Sequence, residues 1–416
     1  MHYFNYHHHS LRCEEVELSD IAAAVGTPCY IYSHRTLTRH AEVIDKALER
    51  FDHLTCYSVK ANSNQAVLKL LADRGLGADV VSGGELFRAR AAGFPADRIV
   101  FSGVGKTEEE LRYALNEGIL AFNVESISEL RALNFVAGQE RTKAPVNLRI
   151  NPDVDPKTHP KIATGLKTAK FGIPHDKALD AYEEAASLEW IDVVGIDAHI
   201  GSNLTSVAPF VEAAKRMVDL VEKIRAKGIA LKMADIGGGL GITYDAEDPP
   251  SPVEWGDAIG EVFSTAGLRI ITEPGRSIVG NAGILLTSVL YLKEHGDKNF
   301  VVVDAGMNDL VRPSMYDSFH GIRPVVKRER QEFVADVVGP ICETGDFLAR
   351  DRTMTRPEEG DLLAVLSAGA YGFTMSSTYN SRPRVAEVMV RADTWQVVRD
   401  RETYGDLIRG ERALLT

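Results

Sequence analysis

From about residue 54 the chain repeats one unit: a short apolar strand, a turn and an amphipathic helix. Strands are expected at residues 55–60, 78–82, 98–102, 120–124, 146–150, 193–199, 233–236 and 268–272. Helices are expected at 65–73, 85–92, 108–116, 127–136, 177–187, 209–227 and 253–265. Gly75, Gly93, Gly118, Gly138 and Gly228 follow five of these helices, where glycine forms the usual left-handed cap. Short strands alternating with helices of this length imply parallel pairing. Eight such strands predict a closed (β/α)8 barrel of the TIM type. An open doubly wound sheet is the alternative, but no nucleotide fingerprint accompanies the repeat.

After about Ile284 the pattern changes. Residues 285–292, 300–304, 333–338, 361–366 and 384–390 read as strands with few helices between them. The expected organisation is a barrel domain over residues 37–280 and a mostly β domain over 281–416. Residues 1–36, with strand character at 28–32, are expected to pack on the β domain.

Composition excludes several functions. The net charge of the 416 residues is −12, and the densest basic run, Lys327-Arg328-Glu329-Arg330, is broken by an acid. Nucleic acid is therefore not an expected partner. The longest apolar stretch, near 284–292, is far short of the roughly 20 residues of a membrane span. The first residues lack the basic and apolar regions of a secretory signal. Cys13, Cys29, Cys56 and Cys342 form neither a CxxC pair nor a metal spacing. A reducing, cytoplasmic setting and no metal are expected.

Barrel enzymes place their chemistry at the C-terminal ends of the strands. The residues at those exits here are Lys60, Asp79 with Ser82, Gly103, Glu125, Asn151, His199 with Ser202, Gly237-Gly238-Gly239 and Glu273-Pro274-Gly275-Arg276. Lys60 either reaches solvent or, desolvated in a pocket, supplies the neutral amine of Schiff-base chemistry. The glycine triplet is either a plain tight bend or a close approach of backbone N–H groups to a phosphate. His199 is either a core histidine or a ring against a planar ligand. Glu273 either pairs with Arg276 or, opposite a lysine-held cofactor, keeps a pyridine nitrogen protonated.

Assembled, these residues resemble the pyridoxal-phosphate decarboxylases of the alanine-racemase-like fold. The resemblance runs from about residue 28 to 384. It is carried by Tyr-Ser-Val-Lys-Ala-Asn at 57–62, Asp-Val-Val-Ser-Gly-Gly-Glu at 79–85 and Lys-Phe-Gly-Ile at 170–173. His-Ile-Gly-Ser at 199–202, the triplet and Glu-Pro-Gly-Arg at 273–276 belong to it as well. So do Cys-Glu-Thr-Gly-Asp at 342–346 and Gly-Ala-Tyr-Gly at 369–372. The resemblance implies pyridoxal 5'-phosphate as cofactor, held covalently by Lys60, with Glu273 at the pyridine nitrogen and His199 on the ring face. It implies Ser202, Gly238, Gly239, Gly275 and Arg276 at the phosphate, Tyr371 against cofactor and substrate, and Cys342 as proton donor. It also implies a homodimer, in which Cys342 and Glu343 serve the partner's barrel.

Within the family the likeness is greatest to the diaminopimelate decarboxylases. Arg312-Pro-Ser-Met-Tyr316 resembles their carboxylate-binding segment, and Glu343 stands where ornithine decarboxylases carry an Asp. Two arginines would repel the bare ammonium tail of ornithine. Arg276 and Arg312 can instead clamp a distal carboxylate, with Tyr316 beside them and Glu343 on the distal ammonium. The implied reaction converts meso-2,6-diaminopimelate to L-lysine and CO2, the last step of lysine biosynthesis. Residues 151–170 are a candidate closing loop. The alternatives are a sister decarboxylase of ornithine, arginine or a carboxylated polyamine; a racemase, which in this fold sets an arginine against the pyridine nitrogen; and a non-catalytic cofactor carrier.

Overall fold

The computed structural model describes residues 2–155 and 170–412, so most of the candidate closing loop lies outside the described residues. The chain divides into two compact units. One comprises residues 39–243 and 247–278; the other comprises 1–38, 244–246 and 279–416.

The first unit is the barrel. Its strands are β1 (His53–Ser58), β2 (Gly77–Val80), β3 (Ile99–Phe101), β4 (Ala121–Val124), β5 (Ala144–Asn151), β6 (Ile191–Asp197), β7 (Met233–Asp235) and β8 (Arg269–Thr272). Each pairs in parallel with the next, and β8 pairs with β1 to close the ring. The expected barrel is therefore present. Helix starts are capped by side chains that accept from first-turn N–H groups, at Asn64, Ser82, Thr107, Ser126 and Ser251. Gly93 and Gly118 end their helices in the left-handed conformation as expected.

Gly138 does not. Its helix runs on through Ile127–Glu140, and Arg141, at φ 54°, forms the left-handed cap. Gly138 is needed for packing: a Cβ there would stand 3.1 Å from the Trp190 ring. A second correction concerns Lys60. It does not end β1 but lies one turn beyond it, in the 3-10 segment Val59–Ala61.

Side chains at alternate strand positions share a face. On the inward face of the barrel this alternation changes chemistry along each strand. Leu54, Cys56, Val100, Ala121, Val194, Met233 and Ile271 cluster toward the N-terminal end. Two residues further along come Ser58, Ser102, Asn123, Asp235 and Glu273, all buried. The lower barrel is thus an apolar plug, and the upper barrel is a polar chamber.

The second unit is mostly β. Its main sheet centres on Gly283–His295, which pairs antiparallel with Cys29–Ser33, Lys298–Val303 and Leu362–Val365. Cys29–Ser33 also pairs in parallel with Ala386–Arg391. The N-terminal strands Phe4–His7, Ser10–Cys13 and Val16–Glu17 form a small antiparallel sheet. Its residues Phe4, Leu11 and Cys13 share a core with Ile31, Ile284, Leu286 and Val388. Several strands have no counterpart in the sequence reading, among them the long Phe347–Thr355 and Thr394–Arg399. Both lie at sheet edges, where a strand can carry charge and needs no apolar run. Among the described residues no helix is long and apolar enough to cross a membrane.

Candidate active site

The polar chamber of the barrel unit is built by inward side chains of successive strands. Lys60 Nζ lies 3.2 Å from Asp79 Oδ2 at the end of β2, and Ser58 Oγ donates to the same oxygen at 2.6 Å. Glu273, one residue past β8, accepts from Ser102 Oγ at 3.0 Å and from Asn123 Nδ2 at 3.3 Å. Asn123 Nδ2 also donates to Asp235 Oδ2 at 3.1 Å, and Asn147 Nδ2 donates to Asn123 Oδ1 at 2.9 Å. Glu125 ties three segments together. It accepts from Gly103 N–H at 3.0 Å, from Arg149 Nη1 at 2.6 Å and from Gly172 N–H at 3.1 Å. Gly172 belongs to the Lys-Phe-Gly-Ile motif.

Electrostatically the chamber holds more carboxylates than cations. Asp79, Glu125, Asp197, Asp235 and Glu273 are buried, against Arg149 and the partly exposed Lys60. Burial pushes the Glu273 carboxyl well above its usual range, with the charges of Asp235 and Asp79 adding to the effect. Burial likewise raises Asp197, and it pushes Asp235 up to about 8. Among the described residues Asp79 Oδ1 and Asp197 Oδ1 are buried without a hydrogen-bond partner.

His199 keeps part of its surface accessible, yet desolvation, followed by the charges of Arg149 and Lys60, holds its imidazole well below the ordinary range. Gly238 N–H donates to its Nδ1 at 3.2 Å, which requires a lone pair there. The ring is therefore neutral. The glycine triplet allows this approach. A Cβ on Gly237 would stand 2.3 Å from His199 Nδ1, and one on Gly238 would stand 2.2 Å from the Glu273 carbonyl oxygen. Beside the triplet the buried Arg276 donates through Nε and Nη2 to Ser202 Oγ, at 3.3 and 3.1 Å. A Cβ on Gly275 would crowd Ala61 and Ser58 at about 3 Å.

These residues fit pyridoxal phosphate. A chamber rich in carboxylates accommodates a protonated pyridine nitrogen. Arg276, Ser202 and a loop of glycines suit a phosphate dianion. Lys60 supplies the amine, and the flat, neutral His199 suits a ring face.

The remaining sequence-predicted residues belong to the β unit. Arg312 is buried at the start of the short helix Arg312–Tyr316, and Tyr316 is half-buried at its end. Cys342 and Glu343 are exposed on a loop. Asp346 anchors that loop, accepting from Ile341 N–H and Met307 N–H, both at 2.6 Å. Tyr371 holds a left-handed backbone conformation, φ 56°, uncommon for a bulky residue and typical of functional sites.

The pyridoxal-binding-domain model of the pyridoxal-dependent decarboxylases matches residues 34–280. The chain belongs to the pyridoxal-dependent decarboxylase family. As a member of this family it is a pyridoxal-phosphate enzyme. It is 51% identical over 407 residues to the diaminopimelate decarboxylase of Aquifex aeolicus, covering 98% of this chain and 96% of that one. It is 52% identical over 409 residues to that of Vibrio cholerae, covering 98% of each. The solved structure of diaminopimelate decarboxylase from Helicobacter pylori, complexed with L-lysine, is 41% identical with a TM-score of 0.92, covering 94% of this chain and 98% of that one. The M. jannaschii enzyme, in co-complex with L-lysine, is 37% identical with a TM-score of 0.95, covering 100% and 99%.

For this decarboxylase, sequence reasoning passed over Ser102, Asn123, Arg149, Asp197 and Asp235. One signal was available. Asn147, Arg149 and Asn151 alternate with Val146, Leu148 and Ile150 in β5, the two-residue period of a strand with one polar face.

Proposed function

We propose that the enzyme decarboxylates meso-2,6-diaminopimelate to L-lysine and CO2. The observation that carries this reading is about 50% identity, over nearly the full length of both chains, to proteins named diaminopimelate decarboxylase. When bound, pyridoxal phosphate supplies a sink for the electron pair that departing CO2 leaves at the α-carbon. Lys60 would hold the cofactor covalently through its amine. Glu273 keeps a proton at the pyridine nitrogen, His199 covers the ring face, and Ser202, Gly238, Gly239, Gly275 and Arg276 bind the phosphate. Tyr371 touches cofactor and substrate.

Arg312 and Arg276 bind the distal carboxylate, with Tyr316 beside them, and Glu343 takes the distal ammonium. Cys342 then returns one proton to the α-carbon in place of CO2. The active unit is a homodimer in which Cys342 and Glu343 serve the partner's barrel. Their exposure on an anchored loop supports that assignment. The four free cysteines support a reducing, cytoplasmic setting.

The test is product analysis on the purified, pyridoxal-phosphate-loaded enzyme. Lysine and CO2 should form one to one from meso-diaminopimelate, with far higher kcat/KM than for ornithine. Preference for ornithine would overturn the substrate assignment.

A further inference from the structure

A guanidinium has only donors, so a buried arginine must be met by acceptors. Arg312 Nη1 lies 2.9 Å from His320 Nε2, and Nη2 donates to Ser318 Oγ at 3.3 Å. Because Arg312 brings no lone pair, His320 Nε2 must be the acceptor. The ring proton then sits on Nδ1, where the Leu366 carbonyl lies 2.8 Å away to receive it. Both ring nitrogens are thereby assigned, and the imidazole is neutral.

The setting is rigid. His320 is fully buried. Leu366 N–H donates back to Gly321 O at 2.7 Å, next to the pairing of Ile322–Pro324 with Leu362–Val365. The His320 carbonyl accepts from Arg352 Nη1 at 2.9 Å. The Tyr244 ring completes the mount. The Arg312 guanidinium carbon lies 4.8 Å from its centroid, and His320 stands edge-on to it at 5.4 Å.

We infer that His320 is a positioning residue for substrate specificity: through Nε2 it aims the Arg312 guanidinium at the distal carboxylate. The inference rests on the role proposed above for Arg312. The chemistry of the acceptor is the reason for a histidine. A carboxylate at 320 would orient Arg312 equally well but would neutralise the charge that an anionic substrate group needs. Imidazole and hydroxyl acceptors orient the fork and leave its charge in place.

Two variants separate the two ring nitrogens. The side-chain amide of Asn reaches the position of Nδ1, so His320→Asn keeps the Leu366 bond and loses the Arg312 bond. The amide of Gln reaches the position of Nε2, so His320→Gln keeps an acceptor for Arg312. Steady-state kinetics with meso-diaminopimelate are measured together with inhibition by cadaverine, the five-carbon diamine that lacks the distal carboxylate. His320→Asn should raise KM about tenfold or more, the scale of one hydrogen bond to a charged group, with kcat little changed. Its inhibition constant for cadaverine should stay near wild type, and His320→Gln should recover most of the KM. Should the Asn variant fail to fold, His320→Phe keeps a ring against Tyr244 without an acceptor and should show the same KM rise. Wild-type KM in His320→Asn, or an equal fractional loss for substrate and cadaverine, would overturn the inference. Arg312→Ala, run alongside, separates the two claims. If it discriminates between substrate and cadaverine while His320→Asn does not, only the positioning role falls. If Arg312→Ala itself affects both alike, the carboxylate assignment falls, and the positioning role with it.

Discussion

Asn123 offers one amide nitrogen to three acceptors: Ser102 Oγ, Asp235 Oδ2 and Glu273 Oε1. It thereby holds two buried carboxyls that would otherwise repel each other. Glu273 is the one the chemistry uses. Glu273→Gln should bind cofactor normally yet lower kcat about a hundredfold or more, since a neutral amide cannot hold a proton on the pyridine nitrogen. Unchanged kcat at full cofactor occupancy would remove Glu273 from that role. Asp235 makes a second prediction. Burial, reinforced by Asp197, raises it to about 8. In the unfolded chain a side chain of this type is ionised above about pH 4. Across that window the folded, cofactor-free protein keeps a proton that the unfolded chain has lost. Stability therefore falls as pH rises, by up to about 1.4 kcal/mol per pH unit from this group, and levels off above about 8. Asp235→Asn should remove this contribution. Melting temperatures of the two cofactor-free proteins between about pH 5 and about pH 8 provide the check, and parallel curves would refute it.

At the level of elements, the β7–Gly237-Gly238-Gly239 turn couples two parts of the chamber. Gly238 N–H fixes the His199 tautomer, while its α-carbon lies against the Glu273 backbone. Gly238→Ala would place a methyl group 2.2 Å from that carbonyl oxygen, a contact only backbone movement can relieve. The variant should fold, because the apolar plug lies deeper in the barrel, but it should lose pyridoxal phosphate on dialysis. Unaltered cofactor affinity would show that the turn tolerates the shift. Gly138 shows how a local cue misleads. Glycine after an apolar helical run is usually a cap, but here the Trp190 ring needs its space and the helix continues.

For the whole molecule, the shared-site homodimer predicts complementation. Lys60→Ala lacks the covalent anchor and Cys342→Ala lacks the proton donor, so each homodimer should be nearly inactive. If each site draws Lys60 from one subunit and Cys342 from the other, a mixed dimer has one intact site. Random co-assembly makes half of the dimers mixed, so about a quarter of wild-type activity should return. No recovery in verified mixed dimers would mean that each subunit completes its own site.

The amino-acid sequence determined the barrel, because a strand–helix repeat with capping residues is a local pattern written eight times. It also determined the family and the cofactor, because Lys60, the glycine triplet and Glu-Pro-Gly-Arg are contiguous motifs at strand exits. Only the tertiary structure decided which polar residues meet. Asn123, Asp235 and Glu273 lie up to 150 residues apart, and closure of the ring alone brings them together. The edge strands 347–355 and 394–399 were illegible for a related reason: an edge is defined by its neighbours, not by its own composition. His320 was hidden in the same way. Nothing in Ser-Phe-His-Gly says that its imidazole will be held between a guanidinium and the Leu366 carbonyl, 46 residues further on, since both partners are supplied by packing.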